Sequence, residues 1–334
     1  MSGRLEDHTI VQVGLGPVGV RIAQDVLDRG IGRLVAGIDP SPDLCGRSLA
    51  DILSRPLVDT PVVAHVGEVE PVPDCAIVAT QSRVDACMPL FRELLERGIR
   101  VVSTCEELVF PWLNHPKLAQ ELDTLARAND TAILGTGVNP GFLMDLLPAA
   151  ATSVCRDVRT ISVHRIQDAQ PRRGPFQEKI GAGLTPAQFE ERVAGGAFGH
   201  VGLGESIHLL AETLGLDFDR WHEHISPVIA TGEMESAMGL IAHGDVCGIL
   251  QFAHAFSDDE KIIELVFQAA VGEPNPHDRI HVDGDPPVDL VIKGGVHGDI
   301  ATAAIVVNAL RPLVVAPPGL HTMASLPVPG WFSG

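Results

Sequence analysis

Short apolar runs alternate with segments of helical periodicity over roughly the first 145 residues. The runs predict strands at Thr9–Val13, Leu34–Ile38, Pro61–Val66, Cys75–Thr80, Ile99–Thr104 and Thr131–Gly135. Apolar positions three and four residues apart predict helices between them, at Val18–Arg29, Arg83–Arg97 and Pro116–Asn129. Because strands that alternate with helices form βαβ units, we expect an α/β domain with a doubly wound parallel Rossmann sheet of about six strands.

The pattern changes after about Ala150. Alternating or apolar runs predict further strands at Val158–Ile166, Cys247–Phe256, Lys261–Val271 and Val288–Lys293, the middle two forming a hairpin. Thr185 and Gln188 have the spacing of a capping box and predict the start of a helix. We therefore expect residues 151–298 to form a second, α+β domain built on an open, largely antiparallel sheet.

The C-terminal part of the chain returns to helical periodicity. Asp299–Leu310 predicts a helix capped by Asp299, and we expect the proline-rich tail Arg311–Gly334 to pack back on the first domain. The first domain is thus predicted to comprise residues 1–150, completed by residues 299–334.

Charge limits the partners of the chain. Its 334 residues carry 24 Lys and Arg against 43 Asp and Glu, a net charge of −19 that repels nucleic-acid phosphates and anionic lipid headgroups. Neither a signal peptide nor an apolar run of about 20 residues is present. We therefore expect a soluble, cytoplasmic protein with no nucleic-acid or membrane partner.

The cysteine, histidine and tyrosine content narrows the chemistry. The six cysteines include no C-x-x-C pair and are expected to be reduced thiols. His222 and His224 lack the H-E-x-x-H spacing, so we expect no catalytic metal. Tyrosine is absent, which excludes the short-chain dehydrogenases and their Tyr-x-x-x-Lys proton donor.

A glycine-rich turn follows the first predicted strand. Gly14, Leu15, Gly16, Pro17, Val18 and Gly19 match G-x-G-x-x-G between a strand and a helix, the setting of a dinucleotide-binding turn. Asp39 ends the second predicted strand, where a carboxylate can accept hydrogen bonds from the adenosine ribose. It favours NAD(H) over NADP(H), although Arg47 could offset the repulsion of a 2′-phosphate. The alternative is a glycine-rich turn without a ligand.

The turns after the fourth, fifth and sixth predicted strands should face the nicotinamide, because ligands of open α/β sheets bind at the carboxyl ends of the strands. Six residues of these turns are predicted cofactor contacts: Ala79, Thr80, Ser82, Thr104, Cys105 and Asn139. The Asn139 amide is suited to the nicotinamide carboxamide.

Two of these turns, Ser103-Thr104-Cys105-Glu106-Glu107-Leu108 and Gly135-Thr136-Gly137-Val138-Asn139-Pro140-Gly141-Phe142, carry a family resemblance. With the glycine turn and the segments Lys293-Gly294-Gly295 and Gly298-Asp299-Ile300-Ala301-Thr302, they resemble the native amine dehydrogenase and 2,4-diaminopentanoate dehydrogenase family. That family is related to the N-terminal domain of dihydrodipicolinate reductase. The H-H-x-x-K-x-D-x-P-S-G-T segment of true dihydrodipicolinate reductases is missing.

The resemblance implies NAD(P)-dependent oxidative deamination or, in reverse, reductive amination of a small carbonyl compound with ammonia. It implies a homodimer and a catalytic glutamate, which maps to Glu106, with Glu107 as second choice. It also places Phe142 in the wall of the substrate pocket and Arg165 in the substrate site. Pairing of Arg165 with an acidic residue is the structural alternative.

The chemistry of amination agrees with a glutamate. Ammonia must lose a proton before it attacks a carbonyl, and the iminium that follows is a cation, so a carboxylate serves both steps. The alternative role for Glu106 is to complement a helix dipole.

Three functions therefore stand. The first is an amine dehydrogenase acting on small aliphatic or cyclic ketones and aldehydes. The second is a 2,4-diaminopentanoate dehydrogenase, whose substrate carboxylate would need a cation such as Arg165 or Arg172. The third is a dinucleotide-binding sensor without catalysis.

Overall fold

The computed structural model describes residues 5–56, 60–196 and 198–334. The chain divides into two compact units, one of Met1–Phe142 with His297–Gly334 and one of Leu143–Val296. The second unit thus begins before residue 151, the start expected from the sequence.

The strands of the described residues are β1 Thr9–Val13, β2 Arg33–Ile38, β3 Val62–Val63, β4 Cys75–Val78, β5 Arg100–Ser103, β6 Ala132–Gly135, β7 Asp157–Asp168, β8 Arg220–Ile229, β9 Met234–Ser236, β10 Gly239–Ile241, β11 Val246–Ser257, β12 Glu260–Ala270, β13 His277–Asp285, β14 Val288–Lys293 and β15 Gly319–His321. The α-helices are α1 Pro17–Asp28, α2 Leu49–Leu53, α3 Val84–Glu96, α4 Pro116–Ala128, α5 Leu146–Ala151, α6 Gly174–Lys179, α7 Pro186–Ala194, α8 Leu203–Leu214 and α9 Gly298–Leu313.

The first unit is built on a parallel sheet in the order β15-β6-β5-β4-β1-β2-β3. The predicted α/β Rossmann class is confirmed, and the sheet has seven strands because Gly319–His321 of the C-terminal tail pairs in parallel with β6. The third strand is shorter than predicted. Glu68 accepts hydrogen bonds from the backbone N–H groups of Ala64 and His65, which turns the chain into a 3-10 helix at Val66–Glu68.

Apolar faces of the helices close this unit over the sheet. In α1, Gly19, Ile22, Ala23 and Val26 are buried at helical spacing, and α1 contacts α9. In α3, Phe91, Leu94 and Leu95 are fully buried against the strands.

The C-terminal tail is fixed to the first unit. Arg29 donates to the carbonyl of Phe332 at 3.0 Å, and the Gly334 N–H donates to the carbonyl of Arg29 at 3.0 Å. The predicted cap of the last helix is wrong. The N-cap is His297, without a side-chain cap bond, and Asp299 lies inside the first turn.

The second unit is built on a sheet in the order β14-β13-β7-β12-β11-β8. Its neighbouring strands are antiparallel except β7 and β12, so the predicted α+β domain on a largely antiparallel sheet is confirmed. One face is buried and α8 packs against β11 and β12. The opposite face carries half-buried side chains such as His164, Phe252 and Val266.

No helix among the described residues is long and apolar enough to cross a lipid bilayer.

Candidate active site

The three glycines of the turn between β1 and α1 meet different demands. Gly14 has φ +84°, and a Cβ there would lie 2.3 Å from the carbonyl oxygen of Ala79. A Cβ at Gly19 would lie 1.9 Å from the carbonyl oxygen of Gly14. At Gly16, the N-cap of α1, a Cβ would meet nothing within 4 Å. The first and third glycines are therefore required by packing, whereas the second leaves open space in front of a helix N-terminus, where an anion is stabilised.

Asp39 lies at the carboxyl end of β2 and ties it to this turn. One carboxylate oxygen accepts from the N–H of Leu15 at 2.9 Å, and the other accepts from the N–H of Ser41 at 2.9 Å. Each oxygen keeps a second lone pair. The carboxylate can therefore hold the turn and still accept from a sugar hydroxyl.

The turns after β4 and β5 are adjacent because their strands are neighbours in the sheet. The N–H of Ala79 donates to Val13 and that of Thr104 to Val78. The buried Cys105 thiol donates to the carbonyl of Ser82 at 3.2 Å, and Thr80 is exposed above it. The structure thus brings the predicted contacts of both turns to the same edge of the sheet as the glycine turn.

Glu106 and Glu107 begin a 3-10 helix, Glu106–Val109, and differ in their surroundings. Glu107 is 8% exposed and accepts from the N–H of Val84 at 2.8 Å, at the N-terminus of α3. Its carboxylate also lies 3.0 Å from Nε2 of His115. Such a carboxylate at a helix N-terminus has a structural role.

The carboxylate of Glu106 is half-buried and has no hydrogen bond or ion pair within the described part of the chain. It lies just beyond β5, with Thr104 and Cys105 between the strand and the 3-10 helix. Since its neighbour Glu107 supplies the contact to the helix, Glu106 is available for chemistry.

The turn after β6 holds polar atoms that lack hydrogen-bond partners among the residues that the structure describes. Asn139 is 7% exposed, and neither its amide nitrogen nor its amide oxygen has a hydrogen-bond partner. The hydroxyl of Thr136, 1% exposed, is also without a partner. A buried polar group left unpaired costs about 1–3 kcal/mol. Two of them in one turn point to a polar ligand that completes their bonding.

Thr136 is a residue that the sequence-based prediction omitted. Its N–H donates to the carbonyl of Ser103, which fixes the turn after β6 to the end of β5. The available signal was a polar residue directly after a buried strand, the position from which Thr80 and Thr104 were predicted. Phe142 is half-buried at the end of the first unit.

Arg165 lies in the second unit, on the buried face of its sheet. It is 2% exposed, and its two terminal nitrogens donate to Asp278 and to the carbonyl of Val296, each at 3.1 Å. Burial lowers the pKa of Arg165 and raises that of Asp278. Asp278 also accepts from the N–H of Val296 at 2.7 Å. Arg165 therefore makes the pairing with an acidic residue that was the alternative to a role in the substrate site. Its bond to Val296 also holds the last residue of the second unit.

Arg172, the other cation considered for a substrate carboxylate, is 8% exposed. Its guanidinium lies 4.0 Å from the centroid of the Phe176 ring, a cation–π contact.

One group of the described residues could hold a metal ion: ligand atoms of Asp85, Glu107 and His115 lie within 4.8 Å of one another. Ion pairs and hydrogen bonds that these side chains make within the protein explain why they lie close together. Arg83 pairs with Asp85 at 2.8 Å, and Glu107 accepts from Val84.

Comparison with known proteins agrees with the fold. The family model of the 2,4-diaminopentanoate dehydrogenase C-terminal domain matches residues 142–334. The 2,4-diaminopentanoate dehydrogenase of Acetoanaerobium sticklandii is 32% identical over 342 residues, covering 99% of this chain and 96% of that protein.

Two solved structures show the same architecture. The amine dehydrogenase from Mycobacterium smegmatis superposes with a TM-score of 0.85 at 25% identity, over 97% of each chain. The dihydrodipicolinate reductase from Paenisporosarcina sp. TG-14 shares the fold, with a TM-score of 0.52 at 14% identity over 95% of this chain and 98% of that one.

The Rossmann sheet, the second mixed sheet and the whole-length match define an oxidoreductase of the amine dehydrogenase class. Within that class, the chain belongs to the 2,4-diaminopentanoate dehydrogenase family. The resemblance drawn from the sequence is confirmed.

Proposed function

We propose that the protein is an NAD(P)-dependent amine dehydrogenase that aminates small aliphatic or cyclic ketones and aldehydes with ammonia and deaminates primary amines in reverse. The observation that carries the proposal is the Glu106 carboxylate, half-buried and without a partner among the described side chains, at the carboxyl end of a central Rossmann strand.

The first unit fits a nicotinamide dinucleotide. The open space at Gly16 in front of α1 suits the pyrophosphate, and Asp39 suits the adenosine ribose. The unpaired amide of Asn139 suits a carboxamide, which offers one donor group and one acceptor. Because Asp39 would repel a 2′-phosphate, we infer a preference for NAD(H).

When bound, the nicotinamide supplies the hydride for amination and accepts it in deamination. In the direction of amination, Glu106 takes a proton from ammonium, and the resulting ammonia attacks the carbonyl carbon. Protonated Glu106 returns this proton to the hydroxyl of the carbinolamine, which departs as water, and the Glu106 carboxylate, ionised again, stabilises the resulting iminium cation. Glu107 holds the N-terminus of α3 and thereby the register of the turn.

A second candidate substrate is 2,4-diaminopentanoate, the compound in the name of the 32% identical relative. Its carboxylate calls for a cation. Since both terminal nitrogens of Arg165 already donate to Asp278 and Val296, that residue is a poor candidate for binding it.

One experiment tests these functions together: steady-state NADH oxidation with ammonia and a panel of ketones and aldehydes, beside NAD⁺ reduction with 2,4-diaminopentanoate. We expect turnover of the carbonyl panel. Turnover of the diamino acid alone would select the second candidate, and cofactor binding without turnover on any substrate would select the sensor.

We further propose a homodimer formed through the half-buried face of the second unit's sheet, as the resemblance implies. The cytoplasmic location stays a prediction from the sequence.

A further inference from the structure

Two cysteine side chains lie together beneath the turn that follows β4. Cys87, in the first turn of α3, and Cys105, the second residue after β5, are 2% and 1% exposed. The Cys87 sulfur is 3.6 Å from the carbonyl of Gln81, and the Cys105 sulfur is 3.2 Å from the carbonyl of Ser82. Both thiols are thus hydrogen-bonded to a turn whose residue Gln81 is exposed to solvent.

The two thiols are hydrogen-bonded to the adjacent carbonyls of Gln81 and Ser82, and they differ in acidity. A hydrogen bond from Cys105 lowers the pKa of Cys87 to about 7, and the hydroxyl of Thr80, 3.7 Å away, contributes. The position of Cys87 near the N-terminus of α3 favours the thiolate as well. The same hydrogen bond and burial raise the pKa of Cys105. Cys87 is therefore the more acidic of the two thiols and the one from which the nucleophilic thiolate forms.

We propose that Cys87 and Cys105 form an oxidisable dithiol that closes to a disulfide and thereby switches off the site around Glu106. The switching role rests on the proposed function, whereas the pairing of the thiols does not.

The oxidant is a hydroperoxide. The Cys87 thiolate attacks the outer oxygen, the O–O bond breaks, and the alkoxide leaves, taking up a proton; Cys87 becomes a sulfenic acid. The sulfur of Cys105 then attacks that of Cys87, its proton joins the departing hydroxide as water, and the S–S bond forms. Two thiols are oxidised, and one hydroperoxide is reduced to an alcohol and water.

Closure requires movement at the catalytic turn. A disulfide brings two sulfurs to about 2.05 Å, closer than any hydrogen bond between them. Cys105 also has its N–H bound to the Ser103 hydroxyl at 3.1 Å. Because Glu106 is the next residue in the chain, drawing Cys105 towards α3 displaces the carboxylate.

The experiment treats the full-length protein with hydrogen peroxide, blocks the remaining thiols with an alkylating agent, and identifies cross-linked peptides by mass spectrometry beside assays of amination. We expect a Cys87–Cys105 cross-link in the wild type, loss of most of kcat, and recovery of both with dithiothreitol. C87S should keep its activity under the same treatment, and C87A replaces it if C87S does not fold. C45S, which removes the exposed Cys45, is the matched control and should behave as the wild type.

Peptides that keep Cys87 and Cys105 as separate thiols or separate sulfinic acids would overturn the pairing. A cross-link without loss of activity, or C87S as sensitive to peroxide as the wild type, would overturn the switch. Because the cross-link is read by mass, an untreated enzyme without turnover would count against the proposed function alone.

Discussion

Two adjacent glutamates differ in the number of bonds they make, and this difference governs what each can do. Glu107 is committed to the N–H of Val84 and to His115, while Glu106 has no partner within the described residues. A carboxylate that accepts a hydrogen bond at a helix N-terminus is committed to that structural contact. The unpaired one beside it combines partial burial with access to a proton.

Glu106→Gln should therefore lower kcat for amination by roughly 10²–10⁴-fold, because it keeps the shape of the side chain and removes the base. The dissociation constant of NADH should change little. Glu107→Gln is the matched control: it should retain kcat within a few fold and lower the unfolding temperature, since its charge leaves the N-terminus of α3. A folded but inactive Glu107→Gln enzyme would mean that the roles are reversed.

Cofactor preference is also set at a single residue. Asp39→Ser should raise kcat/KM with NADPH relative to that with NADH, because it removes the charge that opposes a 2′-phosphate. Asp43→Ser, in the same exposed loop and without a hydrogen bond among the described atoms, should leave the ratio unchanged. A ratio that moves equally in both variants, or not at all with Asp39→Ser, would contradict the role of Asp39.

At the scale of elements, the glycines of the turn between β1 and α1 have two kinds of role: some are required for packing, and one is expected to leave room for the cofactor. Gly16→Val should fold normally and lose affinity for NADH, because its Cβ enters open space at an ordinary backbone angle, φ −67°. Gly232→Val, at another glycine whose Cβ would meet nothing within 4 Å, should keep the affinity. Calorimetry measures both. An unchanged dissociation constant in folded Gly16→Val would show that the pyrophosphate lies elsewhere.

Gly19→Ala should behave differently from Gly16→Val. Its Cβ would lie 1.9 Å from the carbonyl oxygen of Gly14, so the strand and helix must separate. We expect a lower unfolding temperature in the absence of any cofactor, measured by thermal denaturation of the free protein. Normal stability would indicate that the close approach of α1 to β1 is not required.

How far the sequence predicts each element depends on how its faces are buried. The central strands β1, β4, β5 and β6 are buried on both sides and have mainly apolar sequences, which is why the sequence predicts them. β8 was missed because it is an edge strand whose exposed residues, such as His222 and His224, break the alternation. β13 was missed because Asp278 is buried there, paired with Arg165 across the sheet.

In the candidate active site, likewise, the sequence predicts some features, and others depend on the three-dimensional surroundings. The glycine turn and Asp39 follow from spacing alone, since each position has a fixed relation to a strand end. The bonding state of Glu106 and Glu107 does not, because it depends on where α3 begins relative to the 3-10 helix after β5. The unpaired amide of Asn139 likewise becomes visible only once its surroundings are known.

At the scale of the whole molecule, the sheet of the second unit packs against α8 and carries a row of half-buried side chains on the face opposite its buried one. Phe252 and Val266 lie directly opposite each other there, with His164 next to Val266 on the neighbouring strand. These side chains are half-buried, and Glu264 on the same face is paired with His164 and Lys261, in a chain whose net charge of −19 opposes association elsewhere. A second copy can therefore approach this face with little repulsion.

We accordingly predict a homodimer of two 35.5 kDa chains, measured by light scattering at micromolar concentration. Val266→Lys should convert it to a monomer, because a stable interface buries about 1,600 Å² and tolerates an unpaired buried charge poorly. Val315→Lys, at a site 63% exposed in the first unit, is the control and should remain dimeric. A monomeric wild type would contradict the predicted dimer. A folded Val266→Lys variant that remains dimeric would show that the interface lies on another surface.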